Sequence, residues 1–258
     1  MKDFVHYRCF QPQNIVFTMG VDRQGKNTVN MTHGPAGLQE VALVTAPAVT
    51  LWPRVSGDGN FGTMWGPTDI SKAKFTLDLN DARINDMDNE EFQYFKTVLE
   101  AIDDLLLDYV TENQLKILGR KNLSRDEVKM LQIRSIRPKV DKMSGVLTGH
   151  TLNLSTTKYA WDGLGGKHER KIAVCDYTGK AIPNGRVAPG DVVAATIYAN
   201  QVYTGVGGDK FGIHWTFQDI SVVCQRGQLE EKAEVHAFSA CESMFAKAYD
   251  SELVGNAA

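Results

Sequence analysis

Between Gly205 and Gly227 the chain reads GVGGDKFGIHWTFQDISVVCQRG, a glycine-rich loop feeding directly into an aromatic strand. Taken in steps of two, Phe211, Ile213, Trp215 and Phe217 fall on one face, because successive strand side chains point to opposite sides. Lys210, Gly212, His214, Thr216 and Gln218 fall on the other. One face is apolar; the other is small or hydrogen-bonding. Such a strand is either an ordinary core element or the wall of a groove in which flat ligands stack.

An internal echo bears on that choice. GDGNFGTMW (Gly57–Trp65) and GGDKFGIHW (Gly207–Trp215) share Gly-Asp followed by Phe-Gly-x-x-Trp. Glycine next to the phenylalanine leaves the opposite face bare, so another backbone or a flat ligand can approach closely. Two accounts fit: both segments bend at a barrel corner with their aromatics in the core, or the aromatics stack on a ligand. The first favours a small curved barrel over a flat sandwich.

Working outward, strand patterns come first, then helices, then strands again. Asn14–Met19 and Glu40–Thr45 read as short strands in a Gly/Pro-punctuated region. KAKFTLDLND sets Phe75, Leu77 and Leu79 on one face against Lys74, Thr76 and Asp78. From Asp88 the period changes: Phe92, Phe95, Leu99, Ile102, Leu106 and Tyr109 recur three and four apart, one stripe of a long helix. Asp88 with Glu91, and Ser124 with Glu127, have capping-box spacing. Strand pattern resumes after Pro138, with Leu152 and Leu154 alternating against Thr151 and Asn153, then RKIAVCDY and DVVAATIYANQVYTG. The expected architecture is mainly β with inserted helices (α+β). It is a single domain over 1–258, with a helical insertion at about 88–133 and a C-terminal helix at about 228–250.

Composition bounds the function. A chain of 258 residues, 43% hydrophobic and 23% charged, has an ordinary globular composition. Its net charge of −3 excludes a strongly basic histone-like protein but not a local basic groove. Cys9, Cys175, Cys224 and Cys241 form no CxxC pair, and the N-terminal MKDFVHYRCFQPQ lacks a signal-peptide core. A reduced, intracellular setting is expected, and Asn30, Asn122 and Asn153 are read as chance sequons.

Charge is unevenly spread. Asp78 to Glu112 holds eleven acidic residues and two basic ones, whereas Asn113 to Gly190 holds fifteen basic and six acidic. The basic stretch includes Arg134, Arg137, Lys139, Lys142, Lys158, Lys167, Arg170 and Lys171, interleaved with Tyr159, Trp161 and Tyr177. Aromatic faces for bases and cations for phosphates are what sequence-tolerant single-strand binding needs. The plainer alternative is a solvated surface whose cations balance the acidic helix.

Motifs for catalysis are missing. GLGGKHE puts His168 where a phosphate-binding loop needs Ser or Thr, and GVGGDKFG lacks the third glycine of a dinucleotide fingerprint. HExxH and GxSxG do not occur. His236 and Cys241 alone could not hold zinc, which needs four ligands. No enzyme activity, metal or cofactor is expected.

Pro189-Gly190-Asp191, the strand Val192–Tyr203, Gly207-Gly208 and Phe211-Gly212-Ile213-His214-Trp215 resemble the C-terminal core of single-stranded DNA-binding proteins of large eukaryotic DNA viruses. That family is itself similar to the single-strand binding proteins of T7-type phages. TAPAVTLWPRVSGDGNFG followed by KAKFTLDL resembles its N-terminal half. The resemblance implies an OB-type five-stranded β-barrel and a non-catalytic role in DNA replication, recombination or repair. Single-stranded DNA (with RNA an open alternative) would be the ligand, replication proteins the partners, and a homodimer one assembly. Expected stacking residues are Trp161, Tyr159, Trp65 and Trp52. Expected phosphate contacts are Arg134, Arg137, Lys139, Lys158, Lys167, Arg170, Lys171 and Lys210. The phage relatives end in an acidic tail, whereas this chain ends AYDSELVGNAA, so the acidic 78–112 segment is a candidate replacement. Two other classes stay open: a virion-associated structural β protein, and a nucleotide-processing enzyme using Gly163–Lys167.

Overall fold

The computed structural model describes residues 5–21, 25, 27–34, 39–55, 73–79, 90–155, 159–161, 167–169, 173–176, 178, 180, 187, 190–204 and 209–224. For 39–40, 52–55, 73–75, 159–161, 167–169, 173, 200, 218 and 224 it describes the backbone alone. The C-terminal segment expected to be helical lies outside the described residues.

The strands, in chain order, are β1 (Val5–His6), β2 (Ile15–Val21), β3 (Asn27–His33), β4 (Gln39–Val44), β5 (Ala48–Val55) and β6 (Ala73–Asp78). Helices α1 (Glu90–Glu112), α2 (Gln114–Leu118) and α3 (Arg125–Leu131) follow. Then come β7 (Gln132–Ile133), β8 (Ile136–Val140), β9 (Leu147–Ser155), β10 (Tyr159–Trp161), β11 (Lys167–Glu169), β12 (Ala173–Asp176), β13 (Val192–Thr204) and β14 (Phe211–Cys224). The fold is therefore mainly β with a few helices. Twelve described strands share one sheet; β10 and β11 form a separate pair.

Five strands of the large sheet pair in a circuit. β5 pairs antiparallel with β6 from Val49↔Asp78 to Val55↔Ala73, and β6 with β9 from Lys74↔Ser155 to Asp78↔Thr151. β9 touches β14 in parallel at one position, Thr216↔Ser155. β14 pairs antiparallel with β13 along most of its length, and β13 returns to β5 at Val192↔Val49 and Val193↔Ala48. The β9–β14 link is the thinnest of the five.

β4 and β5 follow one another along β13, and the antiparallel register steps by one residue between Val44↔Thr196 and Ala48↔Val193, the kind of irregularity that bends a strand. The bend falls at Ala46-Pro47, where proline has no amide to give. Thr45 supports it: its N–H donates to the Ala195 carbonyl at 2.9 Å, and its Oγ1 accepts the Ala195 N–H at 3.0 Å. At the far end Gly190, with φ +93, donates to the Thr50 carbonyl at 2.7 Å and turns the chain into β13. A left-handed φ of this kind favours glycine.

The apolar faces expected from the sequence are buried, although Gly212, Thr216 and Asp78 of the opposite faces are buried too. Phe211, Ile213, Trp215 and Phe217 are all buried, as are Leu77, Leu79, Leu152 and Leu154. The glycine question raised by this strand also resolves. A Cβ on Gly212 would lie 2.6 Å from the Ile133 carbonyl oxygen and 2.9 Å from the Tyr203 hydroxyl. What approaches the bare face is the β7 backbone and a tyrosine ring of the same chain.

Helix α1 carries its apolar stripe inward, with Phe92, Phe95, Leu99, Ile102 and Leu106 fully buried, and packs against β2, β8 and β14. Burying each large side chain is worth about 1.5–3 kcal/mol. α3 opens with the capping box read from sequence: Ser124 Oγ accepts the Glu127 N–H at 3.3 Å, and Glu127 accepts the Ser124 N–H at 2.7 Å.

Candidate nucleic-acid interface

Alternation that sends Leu152 and Leu154 inward sends Thr151, Asn153 and Ser155 to the other side of β9. Their neighbours across the ladders extend the polar row. Asn153 faces Thr76, whose Oγ1 donates to Asn153 Oδ1 at 2.7 Å. Ser155 Oγ hydrogen-bonds His214 Nε2, and His214 is exposed on β14. On the other flank Arg137 of β8 stands opposite Thr151. The result is a band of hydroxyl, amide, imidazole and guanidinium groups across β8, β9, β6 and β14. It can hydrogen-bond sugars, phosphates and base edges, and among the described side chains it holds the exposed guanidinium of Arg137.

The expected phosphate residues separate into distinct groups. Arg134 is tied to Asp104 at 2.6 Å, and Lys139 to Asp78 at 2.5 Å, with the Asp78 carboxylate itself buried. These two cations balance acids of α1 and β6, as the solvated-surface alternative anticipated for some of them. Arg137 and Lys210 are exposed and carry no ion pair among the described residues. Lys210 sits at the start of β14, beside Asp209, which Arg120 holds at 3.0 Å. Trp65, Lys158, Arg170 and Lys171 lie outside the described residues. For Trp52, Tyr159, Trp161 and Lys167 the backbone is placed: Trp52 in β5, and a β10–β11 ladder with Trp161 opposite Lys167 and Tyr159 opposite Glu169.

Sequence reasoning passed over Tyr203. It stands opposite Gly212 in the β13–β14 ladder, and its ring occupies the space that glycine leaves. Burial raises its phenol pKa, while the nearby Arg137 charge lowers it. A half-buried aromatic thus lies within reach of the Arg137 charge, the combination of residue types that single-strand binding uses. The signal was available: a tyrosine two residues before a glycine loop, paired with a glycine after it.

Beneath the band a buried relay anchors the base of β8. Trp215 Nε1–H donates to Ser135 Oγ at 2.7 Å. The Ser135 hydroxyl and N–H in turn donate to the two carboxylate oxygens of Asp103, each at 2.8 Å. Asp103 lies on the buried stripe of α1, where desolvation pushes its pKa up to about 7 against the pull of those donors. Helix, β14 and the β7–β8 junction are thus pinned at one point. Arg137 rises two residues beyond it.

Comparisons with known proteins were made on sequence and on structure. No protein-family model matches the chain, and no curated protein matches it. Among solved structures it is similar to the single-stranded DNA-binding protein encoded by bacteriophage T7, over 74% of this chain and 96% of that one, at 10% identity and a TM-score of 0.45. It is also similar to the single-stranded DNA-binding protein of bacteriophage Enc34 with its C-terminus truncated, over 81% of this chain and 95% of that one, at 10% identity and a TM-score of 0.38. The same Enc34 protein in complex with single-stranded DNA gives 10% identity and a TM-score of 0.34, over 81% of this chain and 96% of that one.

Proposed function

We propose that this chain is a non-catalytic single-stranded DNA-binding protein built on an OB-type five-stranded barrel, with the polar band of β6, β9 and β14 as its binding face. The supporting observation is the pairing circuit. Numbered along the chain, β5, β6, β9, β13 and β14 are strands one to five of a Greek-key ring that is nearly open at one seam. An OB fold binds oligonucleotides on the face of its second and third strands, flanked by the loops joining strands one to two and four to five. In this chain those strands are β6 and β9, which carry Thr76, Asn153 and Ser155. The one-to-two loop covers 56–72 and includes Trp65; the four-to-five loop leads into Lys210. The chemistry needed for a single strand therefore gathers at one address: donors and acceptors, Arg137, and the Tyr203 ring.

The charge arithmetic fits a modest, sequence-tolerant binder. Each phosphate neutralised adds about −0.7 to the slope of log K against log salt for a single strand. A few free cations give a shallow but measurable slope. Anisotropy of a labelled oligo-dT, titrated at several salt concentrations, is the test, with duplex DNA and thymidine monophosphate as controls. Tight binding of the single strand that weakens with salt is the expected result. Equal affinity for the mononucleotide, or no binding at low salt, rejects the reading.

A further inference from the structure

Four of the nine exposed large hydrophobic residues described in the chain fall within eight consecutive positions at the tip of the β8–β9 hairpin. They are Val140, Met143, Val146 and Leu147, and Met143 is 96% exposed. Clustered apolar exposure of this kind marks a contact surface rather than ordinary scatter. The tip is also held in shape. Asp141 Oδ1 accepts the Met143 N–H at 3.0 Å, the Ser144 N–H at 2.7 Å and the Ser144 hydroxyl at 2.8 Å. Gly145, at φ +70, donates to the Asp141 carbonyl, and Asp141 donates to the Val146 carbonyl, both at 2.9 Å. Below the turn, the register steps from Lys139↔Gly149 to Val140↔Leu147, and the Thr148 hydroxyl donates to the Lys139 carbonyl at 3.0 Å. A bulge of this type bends a hairpin and increases its twist.

Charge indicates what covers this tip. Arg137 and Lys142 carry no ion pair among the described residues. The one acid of the turn, Asp141, spends its carboxylate on its own loop. The hairpin is continuous with the polar band, because β9 belongs to both. An apolar point on a basic stem, rising from the edge of a polar strand face, suits a polyanion whose bases can be unstacked.

We propose that the β8–β9 tip is a base wedge: Met143 and Val146 insert against or between unstacked bases while Arg137 and Lys142 hold the flanking phosphates. Apolar wedges, methionine among them, part base steps in this way in architectural DNA-binding proteins. This rests on the single-strand reading above and adds to it a separate contact outside the second-and-third-strand face. The occupant is nucleic acid; a protein partner or a second copy of the chain is the competing result.

The test compares the full-length wild type with the double variant Met143→Ser, Val146→Ser, and with Met143→Gln alone, on oligo-dT and on an abasic strand of equal length. Both variants alter exposed positions, and thermal melting checks that the fold is kept. The expected outcome is roughly tenfold weaker binding of oligo-dT by the double variant, with an unchanged salt slope, the size of one lost base contact. On the abasic strand the variants and the wild type bind alike. Equal affinity of wild type and variants for oligo-dT overturns the wedge while leaving the single-strand reading intact. So does a variant that changes only the sedimentation of the protein, which assigns the tip to self-association. Failure of the wild type to bind either strand removes both proposals together.

Discussion

Two antiparallel pairs in this molecule treat their apolar residues in opposite ways. In β13–β14 the large side chains turn inward: Phe211 and Phe217 are inaccessible to solvent, and Trp215 is 2% exposed. In β8–β9 the strand bases are buried through Ile136 and Leu152, but the tip carries its apolar groups into water, with Met143 almost wholly exposed. The difference separates a pair that builds the core from a tip that does not. β13–β14 closes the circuit and carries the core, so its sequence answers to packing. The hairpin tip contributes nothing to the core, so its apolar residues need another explanation.

The largest expected effect is in the first region. Trp215→Ala empties a large buried volume and removes the indole donor to Ser135 Oγ, at a cost of about 3–5 kcal/mol read from urea unfolding. A loss under about 1 kcal/mol would mean that β14 does not close the core. Next comes Gly212→Ala. Its Cβ would meet backbone at Ile133, which cannot rotate away, so a loss of roughly 1–3 kcal/mol is expected in the same experiment. Unchanged stability would indicate that β7 is not held against β14.

The pH response of stability sharpens the comparison. Asp103 has a raised pKa in the folded chain, so the fold holds its proton more tightly than the unfolded chain does. Its contribution is complete below the ordinary aspartate range. It is lost as pH rises from there through about 7, and is flat above. Asp103→Asn, which stays neutral, is expected to flatten that part of the profile, as followed by thermal melting from pH 4 to pH 8. A profile identical to wild type would assign the dependence to other groups.

Smaller changes belong to the second region. Arg137→Gln leaves melting unaltered and reduces the salt slope of oligo-dT binding by about 0.7, with an affinity loss of about 1 kcal/mol or less at moderate salt. A lowered melting temperature with unchanged binding would reverse the assignment of the two regions. Arg134→Gln is the matched contrast, because that guanidinium is committed to Asp104. Its expected effect on the salt slope is nil.

Much of the fold was legible because its signals are periodic. The apolar face of Phe211–Phe217 and the stripe from Phe92 to Leu106 are buried as expected, with only His214 exposed on the other face of that strand segment, and the Ser124–Glu127 cap formed as its spacing implied. Long-range pairing was not legible. Nothing in the local pattern says that β9 meets β14 in parallel, or that β4 and β5 share one edge of β13, since those contacts join residues far apart in the chain. For the candidate site, residue types were legible, but not which of them are committed to ion pairs. Counting cations could not reveal that Arg134 and Lys139 are committed to Asp104 and Asp78, while Arg137 between them is free among the described residues. Asp103 stands next to Asp104 in an acidic run, and nothing in that local pattern marks it as buried. Its burial depends on Ser135 and Trp215, which only the tertiary fold brings to it.

The central claim, that single-stranded DNA lies on the face of β6 and β9, is tested most directly by photo-crosslinking. An iodouracil-substituted oligo-dT is bound at low salt, irradiated, and the modified peptides are mapped by mass spectrometry. The account predicts crosslinks to Thr151–Ser155, to the β8–β9 hairpin and to Tyr203 or His214, all suppressed by unlabelled oligo-dT. Crosslinks confined to the outer surface of α1, or none above the duplex control, would contradict it.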